Sequence, residues 1–472
     1  MDESRQEKEA VKVPRRILGV LLSSVAAGVV PRIGAPYIAI GRTDETAALC
    51  RDLDMVRAGG AGMRFIVGPY GSGKSFLLQL MRGYALDRGF VTADADLSPQ
   101  RKICGTKGQG VATYRELITN MASKAAPGGG ALPGIIGKWF SSLQTELIAQ
   151  GLEAGTEAFD QSLTAKIFTV SEKMESEVGG FDFAAVLNRY YHAYMAGEEE
   201  TKSACMRWLR GEYATKTEAR AALGVGSIID DDNWFDYIKL MAVFLQTIGY
   251  SGFLVILDEC VNLYKISNRI SRENNYEMLL SIFNDTLQGR AQGLMMLLGG
   301  TPQFLEDRRR GLFSYEALRS RLCDGQFDSG AYKNFIGPVI RLPRLSDGEL
   351  LALTERVCAL HGQYYGWTPR VTDADMVRFV QHALSRAGAD VMITPREIIR
   401  DFSGILNILM QNPEATFDRI LAQSGTQSTA QAENDAAAPA ADADHEESMR
   451  PAQSDQPSAT HAFDLTLNDI DI

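Results

Sequence analysis

One stretch limits the folds open to this chain more than any other: "MRFIVGPYGSGKSFLLQL", residues 63–80. An apolar run ends on Gly-Pro-Tyr-Gly-Ser-Gly, and a second begins directly after Lys74 and Ser75. Gly68, Gly73, Lys74 and Ser75 fit the spacing G-x-x-x-x-G-K-[ST], a strand turning into a helix around an anion. Glycines let the backbone wind with its N–H groups inward, and the helix after Gly73 aims its positive end at the same point. The expected cradle is Gly68, Pro69, Tyr70, Gly71, Ser72, Gly73, Lys74, Ser75 and Phe76, with Lys74 reaching the β and γ phosphates of ATP and the Ser75 hydroxyl holding Mg2+. "MRFIVG" reads as a buried strand and Gly73 to Leu86 as a helix carrying Phe76, Leu77, Leu80 and Met81. "FVTADADL" reads as a second strand, which makes the βαβ pattern of a parallel sheet.

A second acidic element belongs with the first. "FLVILDE" runs five apolar residues into Asp258 and Glu259, which places two carboxylates at the C-terminal edge of a parallel sheet, where open α/β sheets bind ligands. Asp258 is expected to complete the Mg2+ site, and Glu259 to orient and deprotonate an attacking water. Further strands are expected in "GLMMLLGGTP" and "GPVIRLP". Thr301, at the end of the first of these, stands where a polar sensor of the γ phosphate would sit, or simply in the turn that ends the strand. Beyond it, "EDRRRGLFSYEALRSRL" crowds Arg308, Arg309, Arg310, Arg319 and Arg321 together. Arg319 and Arg321 are the candidates for an arginine finger supplied to a neighbouring subunit; Arg308 to Arg310 suit a solvated or DNA-facing patch. Arg396, opening a helix after Thr394 and Pro395, is a candidate to reach back to the γ phosphate, and an ordinary exposed helix arginine otherwise.

The chain has 472 residues and a formal charge of -11, more length than one core usually serves. From Leu421 onward ten acidic residues face Arg450 alone, so the remainder is close to neutral and the overall acidity does not exclude a DNA partner. Residues 1–36 are expected to form an N-terminal helix and linker. Ile17, Leu18, Leu21, Leu22, Val25 and Val29 fall on one helical face, which favours a core helix over a secretory leader. Residues 37–345 are expected to hold an α/β nucleotide-binding core, interrupted at about 101–232 by a mainly helical insertion. A helical lid is expected over 346–421. Residues 422–472 are expected to be an acidic tail too polar to order itself, ending in the strand-like "FDLTLNDIDI". Six scattered cysteines without metal spacing read as reduced thiols of a cytoplasmic protein, and no segment approaches a membrane span. Trp139, Trp208, Trp234 and Trp367 read as core residues. No Ser/His/Asp or metal constellation competes with the nucleotide site.

"GRTDE", "GPYGSGKSF", "VILDE", "LLGGTP", "YEALRSRL", "VIRLPRLSDGEL" and "TPREIIRDF" follow one another in the order of an initiator-type AAA+ P-loop ATPase. More narrowly, "LDECVNLYKISNR", "NYEMLLSIFNDTLQG" and "GGTPQFLEDRRRGLFSYEALRSRL" resemble the BREX-associated ATP-binding proteins, BrxD-like, over about residues 30–421. That resemblance implies ATP binding and hydrolysis, homo-oligomer formation, DNA association and action with a helicase or methyltransferase partner against phage. Lys74, Ser75, Asp258, Glu259 and Thr301 carry over directly, and Arg319, Arg321 and Arg396 more loosely. The alternative is a nucleotide-gated switch or scaffold that binds ATP with little turnover.

Overall fold

Strand alternation along five short segments builds one parallel sheet in the computed structural model, which describes residues 13–105, 107–172, 179–324, 334–385 and 394–423. The strands are β1 (Gly62–Val67), β2 (Val91–Asp96), β3 (Phe253–Asp258), β4 (Leu294–Gly300) and β5 (Val339–Arg341), in spatial order β2-β3-β4-β1-β5. All stand where the apolar runs predicted them. A parallel sheet is covered on both faces, so its strands read as nearly continuous apolar runs. The period of two then decides which face each residue meets. In β3, Phe253, Val255 and Leu257 enter the larger core, while Leu254 and Ile256 enter the smaller core on the opposite face.

The smaller core is covered by α2 (Ala35–Ile38), α3 (Thr43–Arg57) and α4 (Lys74–Asp87), through Leu49, Leu53, Leu77 and Met81 among others. Before them runs α1 (Arg15–Ala26). Between β2 and β3 the described chain is helical: α5 (Gln109–Thr119), α6 (Leu132–Ala149), α7 (Glu157–Glu172), α8 (Gly180–Ala196), α9 (Glu199–Leu209), α10 (Lys216–Leu223) and α11 (Trp234–Thr247). Trp139, Trp208 and Trp234 are buried here, as expected of core residues. Trp139 meets Phe244 edge-on at 5.2 Å and Trp208 meets Tyr237 at 5.5 Å, geometries that suit the aromatic quadrupole. Trp367 is only half-buried.

After β3 come α12 (Val261–Tyr264) and α13 (Arg269–Leu287), and after β4 come α14 (Pro302–Glu306) and α15 (Glu316–Leu322). Beyond β5 lie α16 (Asp347–Tyr365), α17 (Asp373–Ser385) and α18 (Pro395–Gln411). Leu18, Leu21, Leu22 and Val25 of α1 form a third core with Leu353 and Leu360 of α16, so the first helix belongs with elements more than 300 residues away. One sequence expectation needs correction. Val29 lies beyond the end of α1 and is 58% exposed, because the helix stops at Ala26 and Gly28 turns at φ +65°. The residue ahead of α3 is Arg42, at φ +68° and without a side-chain cap.

The chain forms two units, Met1–Phe417 and Asp418–Ile472. Of the second, only residues 418–423 are described, and they are helical. The expectations for an acidic tail and a terminal strand-like peptide at residues 424–472 lie outside the described residues. No helix among the described residues is long and apolar enough to cross a membrane.

Candidate functional site

β1 ends at Val67 and α4 begins at Lys74, and the six residues between them form the loop. Its entry is fastened to the sheet by Gly68 N–H, which donates to Gly300 O at 3.2 Å, and a turn closes where Ser72 N–H donates to Pro69 O. Gly73 precedes the helix at φ +84° with open space where a side chain would stand, so backbone conformation and not crowding demands glycine there. Lys74 Nζ donates to Gly68 O and Pro69 O, both at 2.9 Å, and folds back over the loop. Burial pushes its pKa down, against the opposing pull of Asp258 and Glu259. Tyr70 projects to solvent, 74% exposed.

The acidic end of β3 meets this loop directly. Strand alternation puts Asp258 on the face of Leu254 and Ile256, the face that α4 covers, and Ser75 Oγ donates to Asp258 Oδ2 at 2.6 Å. The carboxylate lies across β4 above Gly299; a methyl added there would collide with Asp258 Oδ1 and come within 2.9 Å of Leu78. Asp258 Oδ1 also accepts from Glu259 N–H at 2.8 Å. Glu259 itself adopts φ +55°, a left-handed conformation that costs a non-glycine residue on the order of 1 kcal/mol and is held here by that hydrogen bond and the adjoining α12. Partial burial raises its pKa, with Asp258 and Asp96 adding to the rise and Lys74 and Lys265 opposing it. Asp96, the register partner of Asp258 on β2, is raised as well, by burial first and then by Asp258 and Asp94.

Loop and acidic edge open onto a cavity of about 230 Å3 with two chemically different ends. Its polar end is made by residues 70–75, Glu259, Arg42 and Arg396. Its apolar end is made by Val29, Val30, Pro31, Ile38 and Ile40 from the segment after α1, together with Leu345, Leu353 and Ile399 from the elements after β5. Sequence reasoning assigned no role to this end, nor to Arg42 within "GRTDE". The available signal was "VVPRIGAPYIAI", an apolar stretch between helices broken by Pro31 and Gly34, which has no reason to stay apolar unless something covers it. Arg396 is brought to the loop by the start of α18, where Thr394 and Glu397 form a reciprocal capping box and Gly71 packs against Thr394.

Not every sequence candidate reaches the cavity wall. Thr301 follows β4, the strand between β1 and β3, and its Oγ1 accepts from Phe304 N–H at 3.3 Å, capping α14. Arg319 pairs with Glu316 at 2.6 Å, and Arg321 donates to Asn284 Oδ1 and Ala317 O; neither lines the cavity. Arg310 lies over the Tyr264 ring at 5.3 Å and donates to Tyr264 O and Ile266 O, which makes it a structural brace, whereas Arg308 and Arg309 are exposed.

A glycine-rich loop, an acidic strand end tied to it and apolar residues lining the same cavity are thus brought together. The profile of the family described as BREX system ATP-binding protein BrxC/D matches residues 13–425, both walls of the cavity included. The chain belongs to that family. It is an ATP-binding protein of BREX phage defence. No curated protein matches the chain. Among the described residues no group of three or more His, Cys, Asp or Glu is placed to hold a metal ion. The Ser75 hydroxyl and Asp258 carboxylate are the oxygen donors suited to Mg2+, an ion that typically takes one or two protein ligands and completes its shell with phosphates and water.

Proposed function

We propose that the BREX ATP-binding protein hydrolyses ATP with Mg2+ as an AAA+ ATPase, acting as a homo-oligomer on DNA or on a DNA-associated partner such as a helicase. The observation that carries this reading is the Ser75–Asp258 hydrogen bond, which joins the phosphate loop to the acidic strand end with Glu259 on the rim of the same cavity. When bound, Mg2+ neutralises charge on the β and γ phosphate oxygens, and Ser75 and Asp258 would hold it. Loop N–H groups and Lys74 bind the phosphates. Glu259 takes the proton of the attacking water, a role that its raised pKa favours because a stronger base is a better acceptor. Thr301, at the strand end between the loop and the acidic edge, orients that water or the γ phosphate, and Arg396 reaches the triphosphate from α18.

Arg319 and Arg321 are proposed to act on a neighbouring protomer's site, a reading supported by their place on α15, outside the lining of their own cavity. Exposed Arg308 and Arg309 offer phosphate contacts for DNA. The test is ATP titration and turnover on three proteins. Lys74→Ala should lose affinity about tenfold or more, since a charge-assisted contact to phosphate is removed. Glu259→Gln should keep binding and lose turnover by about a hundredfold or more; wild-type turnover in that variant would sink the hydrolytic reading. Mixing Glu259→Gln with Arg319→Ala or Arg321→Ala should restore part of the turnover if a finger crosses between protomers.

The nucleotide-gated switch is the second reading, and the engagement of Arg319 and Arg321 within their own protomer favours it. Tight ATP binding without measurable turnover, with DNA present, would decide for it.

A further inference from the structure

Arg42 is the described non-glycine residue besides Glu259 that holds a positive φ, +68°. Its side chain is 9% exposed, and it lines the cavity beside the phosphate loop. Nη2 donates to Ser72 O at 3.1 Å and to Pro343 O, the carbonyl just past β5, while Nη1 lies 3.5 Å from buried Glu45. A strained backbone thus delivers a buried guanidinium to a carbonyl of the loop, and strain of this kind persists only where the surroundings over-determine it.

The consequence follows from peptide geometry. No peptide bond among the described residues is cis, so Ser72 C=O and Gly73 N–H point in opposite directions across one rigid plane. Holding the carbonyl on Arg42 therefore turns the Gly73 N–H to the side away from the guanidinium. We propose that Arg42 is a positioning residue for ATP: it sets the Ser72–Gly73 peptide so that the loop meets the phosphates with its N–H group already aimed, and it ties that setting to the exit of β5. This inference rests on the chain's ATP-binding role and deepens it. A lysine keeps the charge but lacks the planar fork that serves Ser72 O, Pro343 O and Glu45 together.

The experiment is titration of ATP, ADP and AMP into wild type and Arg42→Lys, beginning with wild type, so that a failure of ATP binding itself is seen separately. Arg42→Lys should weaken ATP and ADP by about tenfold, and AMP within about twofold, because the aimed N–H serves the phosphates beyond the first. ATP affinity within about twofold of wild type, or an equal loss for all three nucleotides, overturns the proposal. Arg42→Gly combined with Glu45→Gln accepts φ +68° without strain and leaves no unpaired buried carboxylate. It should weaken ATP at least as much as Arg42→Lys while its ligand-free Tm is no lower than that of Glu45→Gln alone. Wild-type-like ATP affinity in that protein overturns the proposal equally.

Discussion

Glu259 combines a conformation glycine would prefer with a charge its neighbours resist. A carboxyl whose pKa is raised on folding favours the protonated folded state, so its ionised form costs stability as pH rises above the unfolded value, and the cost vanishes at acid pH where both states are protonated. Glu259→Gln should therefore show a Tm no lower than wild type at pH 7, with the difference closing toward pH 4, measured by thermal melts across that range. The same raised pKa should move the acid limb of kcat/KM for ATP upward from where an unperturbed glutamate would set it. Gly299 makes a complementary case. Gly299→Ala pushes on Asp258 and Leu78, which should cost about 1–3 kcal/mol of stability and displace the carboxylate from Ser75. ATP turnover should fall on the order of a hundredfold, the scale of a 1 Å misplacement, and retention of wild-type turnover would contradict the assigned role of Asp258.

At the scale of elements, caps and buried polar pairs place the helices that close the cavity. Ser346 begins α16 and Thr394 begins α18 with the same reciprocal box to Glu349 and Glu397. Thr394→Ala should cost about 1 kcal/mol of stability, and because Thr394 packs on Gly71, it should also weaken ATP, as a titration would read. Asp231 does the analogous work for α5, accepting from Gly108, Gly110 and Val111 N–H at 2.7 to 2.9 Å. Within the elements after β5, Trp367 Nε1 donates to His361 Nδ1 at 3.0 Å, which leaves the ring proton on Nε2 facing Asn407 Oδ1 at 3.1 Å. Burial lowers the His361 pKa, with the Asn407 contact opposing. The unfolded chain then takes up its proton first, so stability is whole above the ordinary 6.5 and falls as pH drops below it. Melting curves from pH 7.5 to 5 should show that decline, and His361→Gln should flatten it.

Across the whole molecule, the cavity exists because distant parts of the chain converge. Arg32, just past the apolar Val29–Pro31, donates to Asp94 Oδ2 of β2 at 2.8 Å, and Asp94 also pairs with buried Arg82 of α4 at 3.2 Å. That bridge holds the segment forming one wall of the apolar end. Arg32→Ala should weaken ATP by a few-fold, while a Glu259→Gln background still reports normal Mg2+ dependence of what binding remains. The five strands, the loop and the acidic pair were all legible in the sequence, since buried parallel strands are apolar runs and the loop is a contiguous spacing. Arg319 and Arg321 were legible as a basic cluster, but the contact of Arg321 with Asn284 was not, because it depends on α13 passing beside α15.

What the sequence determined by itself is what short-range geometry dictates: a glycine loop that turns a strand into a helix, and a strand whose alternation aims Asp258 at α4. The order β2-β3-β4-β1-β5, the apolar chamber and the buried guanidinium of Arg42 were decided only by tertiary structure. Residues 29–42 meet residues 343–353 and 394–399 there across hundreds of positions, and contacts of that range arise from how helices and sheet pack, which no local spacing encodes.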